Sequence, residues 1–471
     1  MKLILFSVYI LMILTVIFVE RKRPTEALLW VLVMVCIPYG GTILYLIFGS
    51  TVAIKLTAWI RKKRLCKQPR ELWPVRKPFC PSCGKQKELS EEDRQVIRFN
   101  TSYNGSELTG YEKADLYTDG ISHYTQLFRD IREAKTCIFI EFYTIHHDVV
   151  GKKLIEALTA RAAEGVQVWA MCDFIANLST PEKMFAPLRE AGGKVIRVKP
   201  YLTHYRSHRK IVSIDHRISY IGGMNIGKQY AGLDKVKTPW RDTQVRMEGA
   251  CTAVLDEYFL RDWLCAVPRK DWKSTITQVQ GQETEYPSEE GELCQFIIGG
   301  ADNDKESVKM CYLSMIRSAK KKIRIQTPYF IPDVSVLDAL KAAAASGVEI
   351  ELMIPGVKAS FFLDPVTNYY CGQLFAYGMK VYKYRGYIHA KTMVIDEELC
   401  CIGSVNLDMR SLMVDDEVCG VFYSNALVQR YGDIFEKDKT ACIPYTWEQF
   451  QGRGQKEKIL ESIFLLFAPL M

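Results

Sequence analysis

The chain has 471 residues, 48% of them hydrophobic and 25% charged, a balance that excludes a disordered polyelectrolyte and leaves room for two core-forming domains. Its formal charge of +8 is unevenly placed: residues 51–87 carry eleven Lys or Arg against the single acid Glu71, a net +10, so the remainder sums to −2. A folded body of that sign is not a nucleic-acid-binding surface, and no nucleic-acid partner is expected.

Residues 3–19 are apolar apart from Ser7 and Thr15, and after Glu20-Arg-Lys-Arg23 and Pro24 a second, mostly apolar run covers 27–48. Two transmembrane helices fit these runs, because no small-residue cleavage site follows the first and the second comes at once. Pro38, Gly40 and Gly41 are expected to kink the second span or let the helices approach closely. Residues 1–50 therefore read as a membrane anchor and 51–103 as a basic juxtamembrane arm. Its Arg61-Lys-Lys-Arg64 is placed to meet anionic headgroups, each charge contributing about 1 kcal/mol. That arm outnumbers Arg21, Lys22 and Arg23 in the short loop, which puts the remaining domains on the cytoplasmic side of a multi-pass membrane protein.

The fifteen Cys are scattered, and several, such as Cys137, Cys172, Cys400 and Cys401, fall in apparent core strands, as suits a reducing compartment. Cys80-Pro-Ser-Cys83 has metal-ligand spacing but no accompanying second pair, so it reads as a turn; His146-His147 reads as a loop pair.

Periodicity predicts a helix over 124–134, a strand over 137–143, a helix over 154–163 and a strand over 166–172. The same order recurs as helix 308–319, strand 323–327, helix 336–345 and strand 348–354. The fold class is thus α/β, with one sheet per half covered by helices on both faces. The halves span 104–277 and 293–471, joined by a polar linker, 278–292, that holds Pro287 and Gly291. The last residues, 458–471, are apolar but too short to span a membrane; packing on the domain is the default and rest in the interface the alternative.

The halves share more than periodicity. His208-Arg-Lys-Ile-Val-Ser-Ile-Asp215 and His389-Ala-Lys-Thr-Met-Val-Ile-Asp396 both read HxKxxxxD, 181 residues apart, followed at equal offsets by Gly222, Gly223 and Asn225 and by Gly403, Ser404 and Asn406. Glu141 stands opposite Gln326 and Asp148 opposite Asp333, both at an offset of 185. One unit has been duplicated. A single His beside an apolar strand is ordinarily a core residue, but packing constrains polarity and volume and seldom repeats side-chain chemistry twice.

His and Lys two apart on a strand share a face. Two imidazoles, two ammonium groups and two amides suit a reaction at a phosphodiester. One imidazole attacks phosphorus, while the other protonates the leaving oxygen and then deprotonates the incoming nucleophile. Lys210, Lys391, Asn225 and Asn406, with Ser404 beside them, are the candidates to bind the phosphoryl oxygens. This chemistry calls for no metal and no cofactor. Asp215 and Asp396 belong to the catalytic motif, but their odd spacing from His points off the shared face, to a structural or supporting role.

The paired motif resembles the phospholipase D superfamily, and its details resemble the bacterial cardiolipin synthase branch. The supporting words are Trp240-Arg-Asp-Thr, Thr327-Pro-Tyr-Phe-Ile-Pro-Asp333 and Gly403-Ser-Val-Asn-Leu-Asp-Met-Arg-Ser411. Departures are His216, where the family usually has Gly, and Val414-Asp-Asp-Glu417, where Asn-Phe-Glu is usual. The resemblance implies two tandem domains facing across a pseudo-twofold seam, with His208 and His389 meeting there and Asp242 and Glu417 orienting them. It also points to His208 as the nucleophile. Neighbouring charge agrees: Arg206 and Arg209 oppose protonation of His208, and Glu417 is expected to hold His389 protonated as the acid.

The activity implied is formation of cardiolipin from two phosphatidylglycerols at a bacterial plasma membrane, with glycerol released. A hydrolase, either a lipid phosphodiesterase or a nuclease, uses the same residues with water as acceptor, and a silent membrane scaffold is the third class. The intact duplicate argues against the scaffold, and the anchor with its basic collar argues against the nuclease. Residues alone do not separate transfer from hydrolysis, which turns on keeping water from the intermediate.

Overall fold

The computed structural model describes residues 2–19, 24–49, 56, 59–60, 63, 89–199, 206–234, 238–280, 291–300, 306–358, 360–423 and 425–468. Most of the basic arm, the Arg21 to Arg23 loop, Cys80 and Cys83, and most of the linker lie outside them.

Twenty strands are described. The first run comprises β1 (Thr109–Tyr111), β2 (Lys113–Tyr117), β3 (Cys137–Phe142), β4 (Gln167–Asp173), β5 (Lys194–Val198), β6 (Ile211–Ile214), β7 (Ile218–Gly222), β8 (Trp240–Arg241) and β9 (Gln244–Glu248). The second comprises β10 (Glu292–Gly299), β11 (Lys322–Gln326), β12 (Phe330–Ile331), β13 (Glu349–Pro355), β14 (Lys380–Tyr384), β15 (Tyr387–Ile388), β16 (Thr392–Ile395), β17 (Leu399–Gly403), β18 (Leu407–Asp408), β19 (Glu417–Phe422) and β20 (Cys442–Tyr445).

A seven-stranded sheet has the order β2-β9-β7-β6-β3-β4-β5, and a nine-stranded sheet the order β1-β10-β19-β17-β16-β11-β13-β14-β20. Matching the motif strands β6 and β16 superposes the rest: β3 on β11, β4 on β13, β5 on β14, β7 on β17, β9 on β19 and β2 on β10. The duplication read in the sequence is thus a duplication of topology. One exchange crosses it. β1 falls within the first half as expected from the sequence yet pairs with β10, and the helix Glu91–Phe99 packs on Ser307–Ser318, so the change of sheet falls between β1 and β2 and not at residue 104.

Strand alternation explains the layering. Ile138, Ile140 and Phe142 of β3 face a core with Leu127, Leu154 and Leu158 from the helices Gly120–Glu133 and Val149–Ala163. The intervening Cys137 and Phe139 face Phe259, Leu260 and Trp263 of the helix Cys251–Ala266. A third core joins the halves, with Ile211, Ile221 and Val245 from one sheet packed with Val394, Ile402 and Val418 from the other. The helices that follow β3 and β12 begin at equivalent caps: Asp148 accepts from the amides of Val150 and Gly151, and Asp333 from that of Ser335.

The first apolar run is helical from Lys2 through Val19, ending in a π-helical turn. The second, expected as one span, is two helices, Pro24–Cys36 and Gly40–Phe48, broken where Pro38 cannot continue the ladder and folded so that Trp30 meets Tyr45 edge-on at 5.4 Å. Gly49 makes that fold possible, since a Cβ there would lie 2.4 Å from the Trp30 ring. Among the described residues no helix is long and apolar enough to cross a membrane.

Candidate active site

Each motif histidine leaves its own half to find its carboxylate. Ser207 forms a parallel bridge with Asp416, the amide of His208 donates to the Asp416 carbonyl at 2.9 Å, and the neighbouring Glu417 accepts from His208 Nδ1 at 2.7 Å. The second copy mirrors this. β15 pairs with β8, the amide of His389 donates to the Arg241 carbonyl at 2.6 Å, and Asp242 accepts from His389 Nδ1 at 2.6 Å. Both imidazoles therefore present Nε2 to the seam, and the expected pairing of Glu417 with His389 is corrected: Glu417 belongs to His208 and Asp242 to His389.

Lys210 and Lys391 follow on the same strand face, fully buried, and each ammonium donates to the backbone carbonyl of its own histidine. Both lysines act on both imidazoles, which puts all four groups in one site. Burial, with Lys210 and Lys391 beside it, holds His208 well below the ordinary imidazole value; burial and Lys391 push His389 down to about 3, against the pull of Asp242. Burial also lowers Lys210 to about 7 and Lys391 to about 8, although Glu417 and Asp242 oppose it.

The two carboxylates differ. Burial raises Glu417 to about 7 despite Lys210 and the hydroxyl of Ser404, whereas at Asp242 burial is outweighed by His389 and Lys391 and the carboxyl stays below its usual range. Their neighbours explain part of the contrast. The Ser404 hydroxyl donates to Glu417 Oε2, and at the equivalent place in the first half Gly223 leaves room for Asp242, whose Oδ1 lies 2.1 Å from where a Cβ would stand.

Ser404 was expected to bind substrate, and it is instead buried and committed to Glu417. The side chain of Asn225 accepts from the Thr144 amide and donates to the Tyr230 hydroxyl, which leaves one N–H for a ligand. Asn406 has a buried Oδ1 with no hydrogen-bond partner among the described residues. Asp215 and Asp396 do not face the seam. Asp215 accepts from the amides of Lys135, Thr136 and Cys137 at the start of β3, and Asp396 from those of Lys320, Lys321 and Lys322 at the start of β11. They tie the motif strand to its neighbour and touch neither histidine. Arg209 is paired with Asp262 and Asp416, so the positive charge that keeps His208 neutral comes from Lys210, Lys391 and Arg410, not from Arg209.

The sequence reading missed the aromatic walls. Tyr143 stands edge-on to His208 at 4.8 Å, while His389 is enclosed by Trp240 at 5.2 Å, Tyr230 at 5.7 Å and Tyr387 at 5.9 Å. Tyr143 ends the strand predicted over 137–143, and Tyr387 and Trp240 flank motif residues, so proximity in sequence was the available signal for these three; Tyr230 had none.

Residues 127–263 and 312–439 match the family model described as cardiolipin synthase, PLD-like domain. The chain belongs to that family. Residues 7–50 match a second model, the phospholipase D-nuclease N-terminal segment. Among curated proteins, the chain is 34% identical to the major cardiolipin synthase of Bacillus subtilis (strain 168), over 99% of this chain and 98% of that one. It is 32% identical to a cardiolipin synthase of Listeria welshimeri, with both chains covered completely. The phosphatidylserine synthase structure from Haemophilus influenzae aligns with 79% of this chain and 97% of its own at a TM-score of 0.61 and 15% identity, which shows a shared fold.

Proposed function

We propose that the protein is a membrane-bound phosphatidyltransferase that makes cardiolipin from two phosphatidylglycerol molecules and releases glycerol. The observation that carries this is the crossed pair, two neutral imidazoles each held by a carboxylate of the other half, with two ammonium groups between them. Full-length similarity to cardiolipin synthases supports the choice of substrate.

His208 is the nucleophile. Its Nε2 attacks phosphorus of the first phosphatidylglycerol, the P–O bond to glycerol breaks, and His389 donates a proton to the departing glycerol oxygen. His389 then takes the proton from a hydroxyl of the second phosphatidylglycerol, whose oxygen attacks phosphorus and frees His208. Lys210 and Lys391, with the amides of Asn225 and Asn406, hold the phosphoryl oxygens. Arrival of the phosphodiester anion offsets the two ammonium charges and raises the proton affinity of His389, which firmly ionised Asp242 supports as an imidazolium. Glu417, with its own raised proton affinity, gives His208 less support as a cation, in keeping with a nucleophile.

The apolar N-terminal runs anchor the protein in the bacterial plasma membrane, with the catalytic halves on the cytoplasmic face. The excess of positive charge in residues 51–87 supports that orientation. The test is purified full-length protein with phosphatidylglycerol as the only lipid: cardiolipin and glycerol in equal amounts are expected. Phosphatidic acid with glycerol and no cardiolipin would overturn transfer in favour of hydrolysis.

A further inference from the structure

The sequence left the role of the C-terminal helix open, and its packing gives it two apolar faces. The helix Gln455–Leu465 buries Glu461 and Phe464 against the second half, yet it also exposes Ile459 and Ile463, continued by Leu466 and Phe467, at the i, i+4, i+7, i+8 spacing of one stripe. Phe361 and Phe362, in the loop after β13, lean on Phe464 at 5.3 Å and 5.0 Å and are themselves 51% and 56% exposed. The ammonium of exposed Lys358 lies 5.5 Å from the Phe361 ring, and exposed Lys456 stands one turn before Ile459, next to the exposed acid Glu457.

A series of contacts links the patch to the His389 side of the reaction centre. A cavity of about 340 Å³ is lined by Phe361, Lys358, Leu460 and Pro328. The next residue, Tyr329, hydrogen bonds at 3.0 Å to Tyr387, the ring beside His389. The duplicated topology repeats the feature in outline. Leu178, in the segment after β4 that corresponds to the loop after β13, is 65% exposed. Val149 and Val334, the first residues of the equivalent helices after β3 and β12, are 50% and 60% exposed. Exposed Lys152, Lys153 and Lys228 stand near the first-half positions. Single exposed apolar side chains are ordinary, but equivalent ones on corresponding loops of both halves, with lysines beside Phe361 and Val149, form a surface.

We infer that the catalytic halves dock mouth-down on an anionic phospholipid bilayer, through Phe361, Phe362 and the outer stripe of the C-terminal helix on one side and Leu178 and Val149 on the other. This rests on the reading of the protein as a lipid phosphatidyltransferase, whose substrates lie in a bilayer. Aromatic and aliphatic groups enter the headgroup boundary, and the lysines meet lipid phosphates. The N-terminal anchor keeps the protein at the membrane; this second contact sets the orientation in which headgroups reach the seam.

The test uses the full chain and two readouts. Hydroxyl-radical footprinting in nanodiscs needs no turnover. Labelling of Phe361, Phe362 and Ile463 should fall several-fold in phosphatidylglycerol nanodiscs compared with phosphatidylcholine ones, and equal labelling in both would overturn the docking. Activity supplies the second readout. Phe362→Ser, Leu178→Ser and Lys358→Glu should each lower cardiolipin formation in long-chain phosphatidylglycerol vesicles about tenfold or more, mainly through KM, while leaving turnover of monomeric dihexanoyl phosphatidylglycerol within about twofold, because the lost contact is with the bilayer and not with the reacting atoms. Equal losses on both substrates, or no loss on vesicles, would overturn it. A wild-type protein that makes cardiolipin from neither substrate would overturn the functional reading instead, and the footprint would still decide the docking.

Discussion

His208 and Glu417, 209 positions apart and in different halves, are joined through Nδ1 at 2.7 Å, and His389 and Asp242 repeat the bond in the reverse sense at 2.6 Å. Neither half is a complete site. The strand that carries each carboxylate also receives the backbone amide of the histidine it serves, so the catalytic contact and the seam between the halves are one construction. This gives the duplication a mechanical reason: separating the halves removes both tautomer anchors at once.

Glu417→Gln and Asp242→Asn should therefore each lower cardiolipin formation by about 10²–10⁴, because the amide still fills the space but no longer fixes the tautomer or supports the imidazolium. Thermal melts should stay close to wild type. Near-normal turnover in either variant would mean that the crossed bonds do not serve catalysis.

Much of this was legible in the sequence, and the failures share a cause. The repeat of His, Lys, Gly and Asn at fixed offsets carried the fold, and every predicted strand and helix of the two halves is present with ends shifted by a few residues. What stayed hidden depended on chain segments far apart. Glu417 was expected to serve His389, whereas β8 with β15, and Ser207 with Asp416, exchange partners across the seam. Ser404 was taken for a substrate ligand because it occupies a motif position, although a carboxylate 13 residues away claims its hydroxyl. Arg209 was credited with charge that Asp262 and Asp416 neutralise. The break in the second apolar run was signalled by Pro38, but its fold-back depends on Trp30 reaching Tyr45.

Gly223 and Ser404 occupy the same place in the two copies, and their exchange should not be tolerated symmetrically. A Cβ at Gly223 falls 2.1 Å from Asp242 Oδ1 and 3.1 Å from the His389 carbonyl, so Gly223→Ala must push the carboxylate off its histidine. A loss of about 100-fold or more in kcat is expected, on the scale of a 1 Å misplacement at a reacting group. Ser404→Ala removes one hydroxyl from Glu417 and should cost far less. Equal effects of the two substitutions on kcat would refute the assignment.

Activity should fall on the alkaline side earlier than lysine chemistry usually allows. Lys210 is lowered to about 7 and Lys391 to about 8, chiefly by burial, and the reaction needs both as ammonium groups. Deprotonation removes the charges that hold the phosphoryl oxygens, so kcat/KM should decline through apparent values between about 7 and 8 that belong to the coupled pair. The variants Lys210→Arg and Lys391→Arg keep charge across this range and should flatten the limb even where the maximum rate drops. A profile flat to pH 9.5 in the wild type would contradict the role given to the lysines.

The last expectation concerns His216, one of the two places where the resemblance leads one to expect a different residue, here Gly. It sits at φ 55, directly after Asp215 at φ 52, a left-handed backbone that costs a side-chain-bearing residue about 1–3 kcal/mol. The imidazole is buried, with Nδ1 2.7 Å from Asp256 of the helix Cys251–Ala266 and Nε2 3.3 Å from the Cys137 sulfur. Burial opposes its charge, but Asp256 and the Cys137 contact outweigh burial and raise it to about 11. His216→Gly relaxes the backbone but takes the imidazolium away from buried Asp256. Breaking a buried pair costs about 3–5 kcal/mol, more than the strain relieved, so the variant should be less stable than wild type. The pH dependence has a definite sign. Because the folded value is raised, the stabilisation is fully present below the unfolded value of about 6.5 and is lost as pH rises toward about 11. Melting of the solubilised full chain should thus show wild type well above His216→Gly at pH 6 and a smaller gap at pH 9. A gap that widens with pH, or a glycine variant that melts higher at both values, would mean that backbone strain and not the ion pair decides the stability of this turn.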